Sequence, residues 1–146
     1  MVSVTDTEFC LQFSGSPENV RFALIEICAQ LRTIGVPDDA VGTAELVVGE
    51  VLNNIVEHAM ADQPDGLIDV ACTDGRDGQL FTIIDDGIEM PGGKLPAGIP
   101  PEVDTELEDL PEGGWGWSLV HTLTRDIAYQ RVEERNCVKF LLPKVA

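Results

Sequence analysis

The chain has 146 residues, of which 44% are hydrophobic and 24% are charged. This length and this balance suit one globular domain and argue against a multidomain machine, a fibre or a disordered tail. Nine Lys and Arg face 26 Asp and Glu, which gives a formal net charge of -17. Because nucleic-acid affinity comes mostly from basic side chains that neutralise phosphates, so acidic a surface makes DNA or RNA an unfavourable partner.

The sequence also carries signals about its compartment. It has no basic start followed by an apolar run, and no stretch approaches the roughly 20 apolar residues that span a bilayer. We therefore expect a cytoplasmic protein with no membrane partner. The four cysteines are widely scattered and form no Cys-x-x-Cys pair, which favours reduced packing residues over a zinc site or a disulfide frame. They are Cys10, Cys28, Cys72 and Cys137.

Hydrophobic periodicity predicts a strand and two helices at the start of the chain. Residues 8–14 alternate between apolar and polar side chains, the period of a strand. Ser16 and Pro17 are typical of a helix start, and Gly35 offers a left-handed exit from that helix. A second helix begins near Pro37, where acidic residues suit the positive end of the helix dipole. The predicted buried stripes are Val20, Leu24, Ile27, Leu31 and Ile34 in the first helix, and Val41, Ala44, Val48, Val51 or Leu52, Ile55 and Ala59 in the second.

A hairpin and a long irregular segment follow. Residues 67–73 and 80–85 are typical of strands, and the Asp-Gly-Arg-Asp-Gly sequence between them favours a turn and antiparallel pairing. Residues 86–114 then lose periodicity and carry five prolines among six glycines. So long an irregular segment predicts either a disordered insert or a functional lid over the site.

The end of the chain predicts a third helix and a second hairpin. The helix covers residues 114–125, with Leu119, Val120 and Leu123 facing inward, and the strands cover residues 126–132 and 137–142. Two strand pairs joined by short turns predict a mixed, mostly antiparallel sheet with the three helices on one face. The expected fold class is therefore an α+β two-layer sandwich that forms a single domain over residues 1–146.

The second helix carries polar residues that its apolar stripe does not explain. They are Glu50, Asn53, Asn54, Glu57 and His58. Glu50 and Asn54 are four residues apart, so their side chains project from one face and can share a ligand. The alternative is the solvated face of a surface helix. Two successive asparagines weaken a helix interior, and such a local violation often marks a site.

Two further motifs carry polar or glycine residues at predicted element ends. Asp85 and Gly87 follow an apolar strand, where a carboxylate can accept a hydrogen bond from a ligand amino group, although a plain turn has the same sequence. Gly114 and Gly116 open the third helix, where glycines let backbone N–H groups approach phosphate oxygens. This Gly-x-Gly lacks the ending of a P-loop and the βαβ surroundings of a dinucleotide fold.

The joint pattern is more specific than any of its motifs. Glu-x-x-x-Asn on a helix, Asp-x-Gly after a strand, a long lid and Gly-x-Gly opening a helix occur in this order over nearly the whole chain. The arrangement resembles the histidine-kinase-like ATPase superfamily, whose shared architecture is called the Bergerat fold. Within it, the compact layout is most similar to the bacterial anti-sigma-factor serine/threonine kinases.

This resemblance implies roles for the matching residues and the use of ATP and Mg2+. Glu50 would be the general base, and Asn54 would ligate Mg2+ through its amide oxygen. Asp85 would receive the adenine amino group, with Gly87 letting the base lie close to the backbone. The remaining two, Gly114 and Gly116, would place the helix N-terminus against the phosphates.

The resemblance also implies partners and leaves other functions open. The expected activity is phosphorylation of a STAS-type anti-sigma antagonist, with sequestration of a sigma factor as a second role, and homodimers are common in such families. The alternatives are a non-catalytic nucleotide-dependent binding module and the detached catalytic domain of a sensor histidine kinase. Glu89 replaces the second glycine of the Asp-x-Gly-x-Gly pattern, so the hinge geometry of the lid does not carry over from the family. We expect at least one of Trp115 and Trp117 to pack in the core.

Overall fold

The computed structural model describes residues 2–4, 7–63, 65–97 and 114–144. Its strands are β1 (Val2–Val4), β2 (Glu8–Ser14), β3 (Leu67–Asp74), β4 (Gly78–Asp85), β5 (Arg125–Val132) and β6 (Arg135–Pro143). Its helices are α1 (Pro17–Thr33), α2 (Asp38–Asn54) with a following π-helical turn (Ile55–Ala59), a short 3-10 turn (Pro91–Gly93) and α3 (Gly114–Leu123).

The six strands form one sheet in the order β1-β2-β3-β4-β6-β5. Every neighbouring pair of these described strands is antiparallel. Apolar side chains alternate along β3, β4 and β6 and are buried together with those of the helices, which places the core between the two layers. The predicted α+β sandwich is therefore confirmed. Strand β1 was not predicted, because three residues are too few to show a period of two.

The start of α1 has the capping that its sequence predicts. The Ser16 side chain accepts a hydrogen bond from the Asn19 backbone N–H at 3.1 Å, and Pro17 is the first helical residue. Gly35 follows the helix with a φ of +92°, a left-handed conformation that glycine adopts without strain. Both ends of this helix were predicted correctly.

The second helix changes form where its two asparagines lie. The α-helix ends at Asn54 and continues as a π-helical turn, in which the Met60 N–H donates to the Ile55 carbonyl at 2.9 Å. A single helix to Ala59 was predicted, so the extent was right and the form of the last turn was wrong. Such turns insert one extra residue and occur frequently at functional sites.

The inward face of α3 differs from its prediction. Trp117 and Val120 are buried, whereas Leu119 is 49% exposed, so placing Leu119 inward was wrong. Side chains two positions apart on a helix point in directions about 200° apart. Because Trp117 faces the core, Leu119 therefore points away from it. The expectation of a buried tryptophan is confirmed by Trp117. The helix ends at Leu123, two residues early, because the chain enters β5 at Arg125.

All four cysteines are free thiols. Cys28 and Cys72 are buried, and burial raises the pKa of Cys28 to about 11 and that of Cys72 to about 12. The expectation that every cysteine packs in the interior was wrong for Cys10, which is exposed on the polar side of β2.

The predicted lid is described only at its beginning. Residues 86–97 follow β4, whereas residues 98–113, which include the acidic run from Glu102 to Glu112, lie outside the described part of the chain. Among the helices that the structure describes, none has the length and apolar character needed to cross a membrane.

Candidate functional site

The ends of β4 and β6 place two polar side chains together on the helix-covered face of the sheet. Asp85 and Asn136 are direct cross-strand partners, and each is 1% exposed. The Asn136 amide donates to Asp85 Oδ1 at 2.9 Å and to the Ile88 carbonyl at 2.7 Å. The Gly87 N–H donates to the same Asp85 oxygen at 2.9 Å. These hydrogen bonds orient the Asp85 carboxylate through Oδ1 and leave Oδ2 outside both of them.

Two residues of β5 fix the segment that leaves Asp85. The Arg131 guanidinium donates to the Gly87 carbonyl at 3.0 Å and to Asn136 Oδ1 at 2.9 Å. The Tyr129 hydroxyl donates to Asn136 Oδ1 and accepts the Met90 N–H at 3.1 Å. The backbone from Gly87 to Met90 is therefore held against the sheet.

Several influences act on the acidity of the Asp85 carboxyl. Burial is the largest and raises its pKa, because a low-dielectric environment disfavours the charged form. Hydrogen bonds from Asn136 and Gly87 oppose this rise. The charge of Asp86 adds to it, and that of Arg131 counters it. The net result is a raised pKa for the Asp85 carboxyl, because the effect of burial is the largest of these.

The end of β4 is joined to the helical layer at the π-helical turn. The Ile88 N–H donates to the Ala59 carbonyl at 2.9 Å. A Cβ built on Gly87 would overlap that same carbonyl group, so only glycine allows the two segments to approach this closely. Asn54, at the end of α2, and Ile88, just after β4, line the same cleft.

This cleft has a volume of about 320 Å³. Its lining is mostly apolar, and its polar side chains are the amide of Asn54, the imidazole of His58 and the carboxylate of Glu89. The lining includes Asn54, His58, Ala59, Ile88, Met90 and Pro96. Asp85 is not part of this lining and adjoins the cleft through Gly87 and Ile88.

Glu50 lies one turn before Asn54 and faces the start of α3. A Cβ built on Gly116 would overlap the Glu50 carboxylate, so the missing side chain of this glycine makes room for the acid. Burial raises the pKa of Glu50, and the nearby charge of Glu57 raises it further. A carboxylate whose pKa is raised is a better proton acceptor near neutral pH than an ordinary one.

The structure brings several of the predicted site residues close together. Asn54 lines the cleft, Gly87 packs against Ala59 in its lining, and Glu50 contacts Gly116. Gly114 is the first residue of α3, as predicted. The phosphate-approach role of the two α3 glycines stays a prediction, because Glu50 fills the space beside Gly116.

Comparison with known families decides the class of this fold. Residues 13–142 match the family described as "Histidine kinase-like ATPase domain". The chain belongs to this family. The match covers every element from the end of β2 to the end of β6, so the cleft and the Glu50, Asp85 and Gly116 segments all fall within the ATPase domain.

Relatives and solved structures agree with this assignment. The ATPase domain is 24% identical over 129 residues to an "Anti-sigma F factor" of Heyndrickxia coagulans, covering 88% of this chain and 86% of that protein. It is 23% identical over 140 residues to one of Geobacillus kaustophilus, covering 95% and 93%. The structure of the Erythrobacter litoralis EL346 blue-light activated histidine kinase matches with a TM-score of 0.52 and 21% identity. The match covers 86% of this chain but only 40% of that one, and it shows a common fold.

Three residues that shape this ATPase domain's site were missed in the sequence. They are Asn136, Tyr129 and Arg131. One signal was present: Asn136 is a polar residue in phase with the inward-facing Val138 and Phe140 of the last strand. No comparable signal marks Tyr129 or Arg131, since both lie in an edge strand of mostly exposed or half-buried residues.

Glu89 stands where the Asp-x-Gly-x-Gly pattern has its second glycine, and the backbone around it shows where left-handed conformations occur instead. Glu89 is not among the residues with positive φ, whereas Gly92 and Gly93 have φ values of +70° and +68°. The Met90 N–H donates to the Tyr129 hydroxyl and so anchors the backbone there. The left-handed conformation that glycine permits comes after this anchor, at Gly92 and Gly93. In this domain the left-handed backbone positions after β4 are Gly92 and Gly93, and the backbone at Glu89 does not require a glycine.

Replacing Gly116 with Ala should displace Glu50 without unfolding the domain. The new Cβ would overlap only the end of a flexible side chain, so the free energy of unfolding should change by less than about 1 kcal/mol. Glu50 would move toward water, and its raised pKa should fall toward the ordinary value. Carbon-13 NMR titration of the glutamate carboxyls measures this. Gly42→Ala, in open space on α2, is the matched control, and an unchanged Glu50 pKa in Gly116→Ala would contradict the contact.

Proposed function

We propose that this protein is a cytoplasmic ATP-dependent serine/threonine protein kinase that acts as an anti-sigma-type regulator. The observation that carries the proposal is that three motifs distant in sequence lie close to one another around the end of α2. The Glu50 and Asn54 face of α2 lies beside both the Asp85 to Gly87 segment and the first turn of α3. A solvated helix face does not need such an arrangement.

The residues around the cleft fit an adenine nucleotide. Apolar side chains and prolines line its walls, which suits the faces of a purine. The Gly87 N–H and the Asn136 amide both donate to Oδ1 of Asp85 and so orient its carboxylate. Oδ2 would then accept a hydrogen bond from the amino group of the base. Gly87, which tolerates no side chain, lets the backbone stay close to that position.

A magnesium ion would be held at the α2 side of the cleft. The amide oxygen of Asn54 is the protein ligand that we assign to it, and Mg2+ commonly takes its other ligands from phosphates and water. When bound, the ion would supply positive charge against the triphosphate in an otherwise acidic protein.

Glu50 would accept the proton of the attacking hydroxyl. The acceptor oxygen forms a bond to the γ-phosphorus, the bond to the bridging oxygen of ADP breaks, and the proton passes to the Glu50 carboxylate. Burial and the charge of Glu57 both favour the proton-accepting role by raising the Glu50 pKa. Gly116 keeps the carboxylate within the protein rather than in bulk water.

The protein partner is proposed from the relatives. Those named "Anti-sigma F factor" match over most of their own length as well as most of this chain. We therefore propose a STAS-type anti-sigma antagonist as the phosphate acceptor and a sigma factor as a second binding partner. The identities, at 23% to 24% over most of the chain, support this function.

The test combines labelled ATP, Mg2+ and purified anti-sigma antagonists from the same organism. We expect transfer by the wild type and a loss of at least about 100-fold in Glu50→Ala, with ATP affinity, measured by calorimetry, changed less than about 3-fold. Glu57→Gln is the matched control. It should retain transfer but move the acidic limb of the pH-rate profile to lower pH, because it removes a charge that raises the Glu50 pKa.

Other outcomes would select the alternative functions. ATP binding by the wild type without transfer to any antagonist would contradict the kinase and favour a non-catalytic binding module. Acid-labile phosphohistidine on a partner would instead identify the catalytic domain of a sensor histidine kinase. Calorimetry without Mg2+ should show much weaker ATP binding, and equal affinity with and without the ion would contradict the assignment of Asn54.

A further inference from the structure

A histidine of α3 contacts one wall of the cleft. His121 Nε2 lies 2.7 Å from the Pro96 carbonyl oxygen. Because a carbonyl oxygen only accepts, the imidazole N–H must be the donor. Pro96 itself lines the cleft, as do Asn54 and His58. The hydrogen bond therefore ties α3 to a wall that belongs to the segment following β4.

His121 is exposed, and its imidazole packs against one buried side chain. Trp117, one turn earlier on α3, is 2% exposed, and its ring centroid lies 6.0 Å from that of His121 at an angle of 46°. Val120 is completely buried beside them. Trp117 is held by core packing, so one side of the His121 ring lies against a fixed neighbour.

The same helix reaches both parts of the site. At its first turn the Gly116 backbone contacts Glu50, and near its end His121 holds Pro96. Leu95, next to Pro96, is partly buried against the core and adds apolar contact at this wall. A shift of α3 would therefore move the cleft wall and the surroundings of Glu50 together.

We propose that His121 is a positioning residue that holds the Pro96 wall of the cleft in place and so sets its affinity for nucleotide. This inference rests on the proposed function, which makes ATP the ligand of the cleft. It assigns His121 no contact with the reacting atoms. Its effect on the ligand is exerted through the carbonyl group that it holds.

Tryptic cleavage tests the contact without any nucleotide. Lys94 is exposed and lies two residues before Pro96, whereas Arg76 is exposed in the turn between β3 and β4 and serves as an internal reference. In His121→Ala, cleavage after Lys94 should rise about 5-fold relative to cleavage after Arg76. The reason is that loss of one hydrogen bond lets the segment around Lys94 open locally more often. His121→Gln, whose amide can still donate, should restore the wild-type ratio. Thr122→Ala, at the next and exposed position, should leave it unchanged.

Calorimetry with ATP and Mg2+ tests the consequence for binding. His121→Ala should bind about 5-fold more weakly than the wild type, and His121→Gln should bind within about 2-fold of it. Wild-type cleavage ratios in His121→Ala, or undiminished ATP affinity in that variant, would overturn the proposal. If the wild type itself binds no ATP, the proposed function fails. The cleavage ratio does not depend on ATP, so an unchanged ratio in His121→Ala refutes the role of His121 separately.

Discussion

Replacing Asp85 with Asn should lower ATP affinity by at least about 100-fold while leaving the fold intact. The asparagine oxygen can still accept from Asn136 and from the Gly87 N–H, so it should take the place of Oδ1. The amide NH2 then stands where Oδ2 was. If that oxygen receives the adenine amino group, as we propose, two donors would face each other and the hydrogen bond would be replaced by repulsion.

Asp86→Asn is the matched control for this variant. Asp86 is exposed, and its Oδ1 accepts the Leu67 N–H at 3.0 Å, which an asparagine oxygen can also do. We expect ATP affinity within about 3-fold of the wild type for Asp86→Asn. Calorimetry gives both affinities, and circular dichroism confirms that each variant is folded. Unchanged ATP binding by Asp85→Asn would refute the proposed adenine contact.

The Asp85→Asn variant also has an expected pH dependence. Burial raises the Asp85 pKa, so the folded protein holds this proton more tightly than the unfolded chain, where the ordinary value is 3.8. The contribution of Asp85 to stability therefore falls as pH rises from the unfolded pKa to the raised folded pKa. Asparagine does not titrate in this range, so the free energy of unfolding of Asp85→Asn should not show this fall with rising pH. Urea unfolding measured across this acidic range tests the sign.

Local patterns in the sequence predicted the parts of the site that depend on one element. Asp85 was predicted at the end of an apolar strand, and in the structure it shares the buried face of β4 with Phe81 and Ile83. Helical spacing likewise places Glu50 and Asn54 on one face of α2. These relations follow from strand and helix geometry alone, so they need no knowledge of the rest of the chain.

The parts that were missed depend on contacts between distant segments. The pairing of Asp85 with Asn136 joins residues 51 apart in sequence, and no local pattern sets the register between β4 and β6. The π-helical turn was missed because one inserted residue barely alters a hydrophobic period of 3.6. The position of Glu50 against Gly116 likewise depends on how α3 packs on α2, which neither helix sequence specifies.

Replacing Gly87 with Ala should destabilise the protein by roughly 2–4 kcal/mol. A Cβ at this position would overlap the Ala59 carbonyl, which is main chain and cannot rotate away as the Glu50 carboxylate can. The end of β4 and the π-helical turn must then separate, and the hydrogen bond from the Ile88 N–H to Ala59 is lost or lengthened. Urea unfolding measures the cost, and the same displacement should weaken ATP binding by widening the cleft between Ile88 and Asn54.

Gly42→Ala makes the same chemical change with the opposite expected sign. Gly42 lies inside α2, and a Cβ there would meet nothing within 4 Å. Alanine is a better helix former than glycine, so this variant should gain about 0.5–1 kcal/mol of stability. The difference between the two variants isolates the close approach of Gly87 to Ala59 from the general effect of adding a methyl group. Similar small changes in both would mean that β4 and the π-helical turn do not meet as closely as the geometry of Gly87 requires.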